Sequence, residues 1–277
     1  MKPFIIYTYD YNPGVGGIKV MHKLCHLLNT NGYTSYLMPI HINENFYTCA
    51  DYNTPLITQE VLDNLDDTIV VYPEGIKQNP LNAKNVVRWI LGPSNPGDYN
   101  TYAPSDIVYW YMDYYFTEAV GQRENQLFIS EYHDDIFTNV GYSRSGSCYS
   151  IRKASPIQKI HPQDSIEIPF NAAGNLPALS ELFNTTTKFY CYDNYTFLYI
   201  QAAMCGCISV VIPDGKKSKE EWLDGSPLHK YGIAYGEEDI PRAIETLPLL
   251  FQEIDNQKNL MIKQTLEFAD NCNNLFI

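Results

Sequence analysis

Two adjacent basic residues are the side chains best suited to bind a diphosphate. Arg152 and Lys153 follow a short apolar run, and they concentrate positive charge in a chain that has 19 basic and 32 acidic residues. A departing diphosphate needs positive charge or a metal ion, and the guanidinium group of arginine matches the geometry of phosphate oxygens. The pair is therefore a candidate diphosphate site. An exposed pair in a linker is the alternative.

A polar segment downstream offers a second set of ligand-binding side chains. Residues 192–196 read Tyr-Asp-Asn-Tyr-Thr, and a helical pattern covers residues 195–205. The N-terminus of a helix attracts anions through its free N–H groups and its dipole. Gln201 follows Asp193 with seven residues between them. Around the axis of the predicted helix the two positions are close enough for both side chains to contact one ligand. Helix capping is the alternative, and it is compatible with ligand binding. The candidates are Asp193, Asn194, Tyr195, Thr196 and Gln201.

A glycine-rich turn follows the first apolar run. Residues 12–17 read Asn-Pro-Gly-Val-Gly-Gly, and Lys19 occupies the position of the third glycine in a dinucleotide-binding GxGxxG motif. The second predicted strand continues toward His41 rather than ending at an acid for the ribose, so NAD binding is disfavoured. The glycines can still admit a phosphate or a sugar close to the backbone, with a plain tight turn as the alternative. The candidates for this acceptor or phosphate loop are Gly14, Gly16, Gly17 and His41.

Short apolar runs alternate with helical patterns along the chain, which predicts parallel α/β units. Strands are predicted at 4–9, 34–38, 68–72, 85–91, 107–111 and 126–130, and then at 148–152, 165–168, 187–191 and 208–212. A helical pattern at 254–268 lies near the end. The small, polar stretch 139–147 predicts a linker. We therefore expect a first domain at 1–145 and a second at 146–277, with a ligand cleft between them and a last helix able to pack back on the first domain.

The composition excludes several classes of protein. The chain has 277 residues, of which 45% are hydrophobic and 18% charged, too apolar for a disordered chain. Its net charge of −13 and the lack of a basic block argue against nucleic-acid binding. No apolar run approaches the ~20 residues of a membrane span, and the first residues do not form a secretory signal. Seven cysteines without a CxxC pair predict reduced core thiols in a cytoplasmic protein.

Several segments resemble one family of enzymes. Residues 202–212, Ala-Ala-Met-Cys-Gly-Cys-Ile-Ser-Val-Val-Ile, resemble the EAMAxGxPVV stretch in the donor-binding half of GT-B glycosyltransferases. The two family glutamates that contact the donor sugar and the ribose correspond to Asp193 and Gln201. Residues 69–75 and 79–91 are similar to the acceptor half of small bacterial and viral enzymes that build surface glycans of capsules, lipopolysaccharide or capsids. Residues 149–153 are similar to their entry into the donor half, where Arg and Lys meet the diphosphate.

The resemblance implies an α/β fold of the GT-B type, with two Rossmann-like domains facing each other across a cleft. It implies transfer of a hexosyl or pentosyl group from a nucleotide-sugar, with UDP favoured by its frequency in the family, to a hydroxyl of a growing glycan. No Asp-x-Asp motif stands between apolar strands, so we expect no metal and no cofactor besides the nucleotide-sugar. An epimerase-like enzyme that modifies nucleotide-sugars and a non-catalytic carbohydrate-binding protein are the alternatives.

An inverting transfer would need a base in the first half of the chain to take the proton from the acceptor hydroxyl. Ligand-facing residues of parallel sheets lie just beyond the carboxyl ends of the strands. Glu74 is the first candidate, because Pro73 and Gly75 fix its turn and because its segment resembles the family's acceptor half. Asp10, beside the glycine-rich turn, is the second. For each, an exposed loop acid is the alternative.

Overall fold

The computed structural model describes residues 1–41, 45–92, 96–112, 115–151, 158–169, 171–194 and 196–276. Contacts divide the chain into two compact units. Unit 1 consists of Met1–Glu131 and Lys258–Ile277, and unit 2 consists of Tyr132–Gln257. Each unit is built on a parallel sheet of five strands. No helix within the described ranges is long and apolar enough to cross a membrane.

Unit 1 has the strand order β2-β1-β3-β4-β5. Its strands are apolar because layers of side chains cover both faces of the sheet, as is usual for parallel sheets. Its elements in chain order are β1 (Phe4–Thr8), α1 (Gly16–Thr30), β2 (Ser35–Pro39), α2 (Gln59–Asp63), β3 (Ile69–Pro73), β4 (Val86–Ile90) and β5 (Ile107–Trp110).

Unit 2 has the strand order β10-β9-β8-β6-β7. Its elements are β6 (Ser147–Ser150), β7 (Ile166–Glu167), α3 (Leu176–Thr185), β8 (Lys188–Cys191), α4 (Leu198–Met204), β9 (Ile208–Val211), α5 (Lys219–Asp224), β10 (Ile233–Tyr235) and α6 (Ile240–Thr246). The last helix, α7 (Leu250–Leu275), begins in unit 2 and belongs to unit 1 from Lys258 onward.

The two sheets share one topology. When the strands are numbered within each unit, both orders are 2-1-3-4-5. The direction of winding reverses between β1 and β3 in unit 1 and between β6 and β8 in unit 2. Ligands of open α/β sheets bind beyond the carboxyl ends of the strands at such a reversal. Each unit therefore has one position at which its fold favours a ligand.

The predicted strand at 126–130 is largely wrong. One isolated bridge joins Gln126 to Trp110, next to β5. The backbone N–H of Phe128 donates to Gln264 Oε1 at 3.0 Å, and that of Ser130 donates to the sulfur of Met261 at 3.4 Å. The segment thus pairs with β5 at one bridge, and on its other edge the N–H groups of Phe128 and Ser130 are bound by side chains of α7.

Residues 132–145 belong to unit 2, whereas the sequence suggested a boundary between 145 and 146. Phe137 is fully buried in the unit 2 core, and the Ser180 hydroxyl donates to the carbonyl of Ile136 at 2.7 Å. The Arg144 guanidinium donates to the carbonyls of Phe183, at 2.6 Å, and of Cys205. The small, polar stretch 139–147 is therefore bound to unit 2 through the side chain of Arg144.

Candidate functional site

The carboxyl edge of the unit 1 sheet brings together several of the candidate residues. Asp10 lies two residues after β1, His41 two residues after β2, and Glu74 directly after β3. The three strands are neighbours, with Thr8 opposite Pro39 and Ile6 opposite Val71. The ends of these strands therefore lie side by side at the reversal point of the unit 1 sheet.

Glu74 is held at both its side chain and its backbone. Its carboxylate oxygen Oε2 accepts the N–H of Leu91 at 3.0 Å, and its carbonyl accepts the hydroxyl of Tyr102 at 3.2 Å. Burial raises the pKa of Glu74, and the hydrogen bond from Leu91 opposes this shift. A carboxylate with a raised pKa is a stronger base, so the position suits general base catalysis. Glycine at position 92 leaves space for the Glu74 carboxylate, since a Cβ on Gly92 would lie 3.3 Å from Glu74 Oε1.

The buried Arg88 supports the loop that carries Glu74. Its Nε donates to Asp106 at 2.8 Å, and both side chains are almost fully buried. Its terminal nitrogens donate to the carbonyls of Ile76, at 2.9 Å, and of Gln78, and its guanidinium lies 4.6 Å from the ring centre of Tyr102. One charged side chain on β4 therefore fixes the turn after β3.

Asp10 is engaged by a segment that passes over α1. Its Oδ1 accepts the N–H of Tyr47 at 2.8 Å, and the N–H of Tyr11 donates to the Tyr47 carbonyl at 2.9 Å. The carbonyl of Tyr9 next to it accepts a hydrogen bond from His22 Nε2 at 2.9 Å. Residues 9–11 are thus held from two sides, which fixes the direction of the Asp10 carboxylate.

Two histidines on α1 have a spacing that could bind a metal, but the structure uses them within the fold. His22 Nε2 bonds to the Tyr9 carbonyl, and His26 Nδ1 accepts the N–H of Asn53 at 3.0 Å. Among the described residues, no group of three His, Cys, Asp or Glu side chains could hold a metal ion.

The glycine-rich turn leads into an open helix start. Val15 occupies the N-cap position of α1, and within the described chain no side chain caps it and no acid stands in the first turn. A Cβ on Gly16 would meet nothing within 4 Å, and its backbone is not in the left-handed region. Neither sterics nor conformation therefore requires glycine there. Gly14 packs against Asn12, and a Cβ on Gly17 would lie 3.7 Å from Leu91.

In unit 2 the candidate polar side chains after β8 are buried. Asp193, Asn194 and Gln201 are each less than one tenth exposed. Asn194 Oδ1 is buried and has no hydrogen-bond partner among the described residues. A buried polar atom without a partner costs about 1–3 kcal/mol, so this oxygen is suited to a ligand donor. Arg152, Lys153 and Tyr195 lie outside the described residues.

The helix after this segment is shorter than the sequence suggested. Residues 195–205 were expected to be helical, but α4 spans seven residues and begins at Leu198. The N–H of Tyr192 still donates to the Ser150 carbonyl, so the chain continues along the sheet beyond β8. Thr196 is half-buried, and its hydroxyl accepts the N–H of Leu198 at 3.4 Å. The helix dipole therefore contributes less to anion binding at Thr196 than expected.

A lysine-rich loop that the sequence interpretation overlooked follows β9, the neighbour of β8. Residues 213–219 read Pro-Asp-Gly-Lys-Lys-Ser-Lys. Gly215 has a φ of +75°, and the space beside it is open. The Lys216 side chain is 68% exposed and lies 3.5 Å from Asp214, whereas Lys219 pairs with the buried Asp239. Three lysines within four residues of an acidic chain were a signal that could have identified this loop.

A histidine and a tyrosine also meet near the ends of β6 and β8. The Tyr192 hydroxyl accepts the N–H of Ile160 at 2.8 Å and lies 2.8 Å from His161 Nδ1. The His161 ring stacks on Tyr149 at 3.8 Å. Burial, with help from Lys159, lowers the pKa of His161 and favours a neutral ring. This cluster depends on tertiary packing, and no sequence spacing indicated it.

Comparisons with known proteins find similarity in structure but not in sequence. No protein-family model matches the chain. No curated protein matches it in sequence. Among solved structures, the chain is similar to an alpha-glucosyltransferase in complex with UDP and a 13-mer DNA containing a central A:G mismatch. The identity is 14%, with 98% of this chain and 94% of that chain covered, and the TM-score is 0.47.

Proposed function

We propose that this protein is a GT-B-type glycosyltransferase that moves a sugar from a nucleotide-sugar to a hydroxyl of a glycan. One observation carries the proposal. Two parallel sheets have the same strand order, and each has chemically suited polar residues beyond its reversal point. Such positions bind nucleotides and sugars in open α/β folds. Two of them in one chain suit a reaction with two substrates.

The donor would bind to unit 2. Asn194 Oδ1, buried and without a described partner, is an acceptor for a hydroxyl or amide group of the donor. Asp193 and Gln201 are close to Asn194 in sequence and are also buried, and their carboxylate and amide groups could bind sugar hydroxyls. The diphosphate would be bound by Lys216 in the loop after β9, together with Arg152, whose role is a prediction from sequence. Positive charge is scarce in this chain, so its occurrence at this edge favours an anionic ligand.

The acceptor would bind to unit 1, with Glu74 as the base. Its raised pKa and fixed orientation suit removal of a proton from a hydroxyl while the bond to the diphosphate breaks. In this inverting mechanism the proton moves to Glu74 and the departing diphosphate keeps the electron pair. The lysine and arginine charges would stabilise that leaving group without a metal ion. The open backbone at Gly16 would face a substrate hydroxyl or phosphate.

A binding screen with a matched control tests the donor site. We expect UDP, GDP or dTDP to raise the melting temperature of the protein, and the matching nucleoside to raise it much less, because the diphosphate supplies the charge. Lys216→Ala should weaken nucleotide binding measured by calorimetry. Lys263→Ala should leave it unchanged, since Lys263 on α7 is 70% exposed and so resembles Lys216 in exposure.

The outcomes separate the alternatives. Absence of binding by all three nucleotides would contradict the proposal. Binding of saccharides without any nucleotide would indicate a carbohydrate-binding protein. Tight binding of NAD, with conversion of a nucleotide-sugar in the absence of any acceptor, would indicate the epimerase-like alternative.

A further inference from the structure

Exposed tyrosine rings are concentrated at the edge of the unit 1 sheet. The protein has 23 tyrosines. Among those in the described ranges, only Tyr9, Tyr47 and Tyr142 are exposed, with exposed fractions of 45%, 66% and 55%. Two of the three are next to Asp10, because Tyr9 precedes it in sequence and the N–H of Tyr47 donates to its Oδ1. Such a grouping is unusual in a chain that buries or partly buries its other described tyrosines.

His41 extends this aromatic surface. Its ring centre lies 5.5 Å from that of Tyr9, and the two planes are inclined by 59°. Tyr9 directly follows β1 and His41 lies just beyond the neighbouring β2, so parallel pairing of the two strands brings the rings together. Tyr47 is tied to the same place through its backbone, by the bonds to Asp10 and Tyr11. The fold therefore brings three residues with aromatic side chains, each of them exposed, to one edge of the sheet.

We infer that Tyr9, His41 and Tyr47, with Asp10, form a binding site for the pyranose ring of a saccharide. One face of a pyranose carries C–H groups, which are attracted to the negative face of an aromatic ring. Its edge carries hydroxyls, which donate to a carboxylate. Asp10 has one oxygen engaged by Tyr47, and its second oxygen is the acceptor for a sugar hydroxyl. In this arrangement Asp10 binds the sugar and does not act as the base.

The inference rests on the proposed function, and it names the residues that would bind the acceptor sugar. The register of β1 and β3 sets Ile6 opposite Val71, and Tyr9 and Glu74 each lie three residues further along, just beyond the ends of these neighbouring strands. Because neighbouring strands lie about 4.8 Å apart, a sugar on the Tyr9 ring would be bound at the same edge of the sheet as the proposed base. The site therefore takes the acceptor sugar, and its aromatic faces select a ring with a continuous C–H face.

Fluorine NMR of the full-length protein containing 3-fluorotyrosine tests the site directly. The probes are the methyl glycosides of glucose, galactose, rhamnose and xylose, each added without nucleotide. The signals of Tyr9 and Tyr47, assigned by their loss in Tyr9→Phe and Tyr47→Phe, should shift with at least one glycoside. The signal of Tyr142, an exposed tyrosine in unit 2, should not shift.

Titrations of variants supply the second readout. We expect Tyr9→Ala to weaken glycoside binding by about tenfold, the loss of roughly 1.4 kcal/mol of ring contact, and Tyr142→Ala to leave it unchanged. Tyr47→Ala should act similarly, because its anchoring bonds involve only the backbone. Tyr9→Leu, which keeps apolar bulk at this position, tests whether a loss arises from misfolding. It should remain folded and still bind weakly.

Two results would overturn the inference: no glycoside shifts either signal, or glycosides bind with equal affinity to the wild type and to Tyr9→Ala and Tyr47→Ala. Failure of the proposed function has a different signature. In that case the Tyr9 and Tyr47 signals would respond to glycosides while UDP, GDP and dTDP fail to bind at all.

Discussion

Replacement of Glu74 by glutamine separates catalysis from folding. The amide keeps the shape of the side chain, and its oxygen can still accept the N–H of Leu91. It cannot take a proton from an acceptor hydroxyl. Loss of a general base lowers kcat by about 10²–10⁴. We therefore expect a drop of this size in transfer, with nucleotide-sugar affinity unchanged because the donor would bind to unit 2.

The same change has a defined effect on stability. The folded-state pKa of Glu74 lies above its unfolded value of 4.5, because burial outweighs the Leu91 hydrogen bond. The ionised carboxylate therefore weakens folding at pH values above the folded pKa, and this weakening disappears as the pH falls below 4.5. Glutamine is neutral throughout. At neutral pH we expect the free energy of unfolding of Glu74→Gln to exceed that of the wild type by no more than about 1 kcal/mol.

Urea unfolding at several pH values measures the stability, and initial rates of transfer measure the activity. Glu118→Gln, which changes an exposed acid in the same unit, is the control and should alter neither. The stability difference between wild type and Glu74→Gln should shrink as the pH falls toward 4.5. Transfer near the wild-type rate would refute the role of Glu74 as the base. A variant clearly less stable at neutral pH would refute the assigned balance of burial and hydrogen bonding.

Four further predictions concern ligand binding. Gly16→Ala should leave the free energy of unfolding unchanged or raise it by up to about 1 kcal/mol, because alanine favours the helix. The same change should weaken substrate binding measured by calorimetry, and unchanged binding would mean that Gly16 serves only the turn. Asn194→Ala should weaken nucleotide-sugar binding by about tenfold through loss of one hydrogen bond, and equal affinities would remove that oxygen from the site. Arg152→Ala should weaken UDP binding by about 1.5–3 kcal/mol, the scale of a charged hydrogen bond, and a folded variant with unchanged UDP affinity would exclude Arg152. Turnover should survive EDTA; activity that is lost in chelator and returns with Mn²⁺ would mean that the diphosphate site uses a metal ion.

Much of the fold follows from local pattern. Nine of the ten strands among the described residues were predicted to within two residues, because buried parallel strands produce short apolar runs between turn residues. The strand β10 (Ile233–Tyr235) was missed, since three residues are too few to show a pattern. The 126–130 segment has the composition of a strand, but it pairs with β5 at one bridge only, and side chains of α7 accept its N–H groups at Phe128 and Ser130. Contacts with a helix more than 130 residues away cannot be predicted from a local window.

The candidate site also has features that the sequence predicts and features that it does not. Placement of Asp10, His41 and Glu74 at the ends of neighbouring strands followed from the parallel sheet alone. Their surroundings did not. The hydrogen bond from the Leu91 N–H to Glu74 depends on how the turns after two different strands meet. The absence of a described donor to Asn194 Oδ1 depends on how the surrounding chain packs. Both are products of tertiary packing.

The division of the chain between the two units sets an order in which folding can be completed. Unit 2 is one continuous segment, Tyr132–Gln257, but unit 1 also needs residues from Lys258 onward. Phe4 packs against Phe268 at 5.5 Å, and the Tyr33 hydroxyl donates to Asp270 at 2.6 Å, so contacts across almost the whole sequence complete unit 1. During synthesis from the N-terminus, unit 2 has all its residues before unit 1 does. Unit 1, which is started first, can therefore be completed only after the whole of unit 2 has been synthesised.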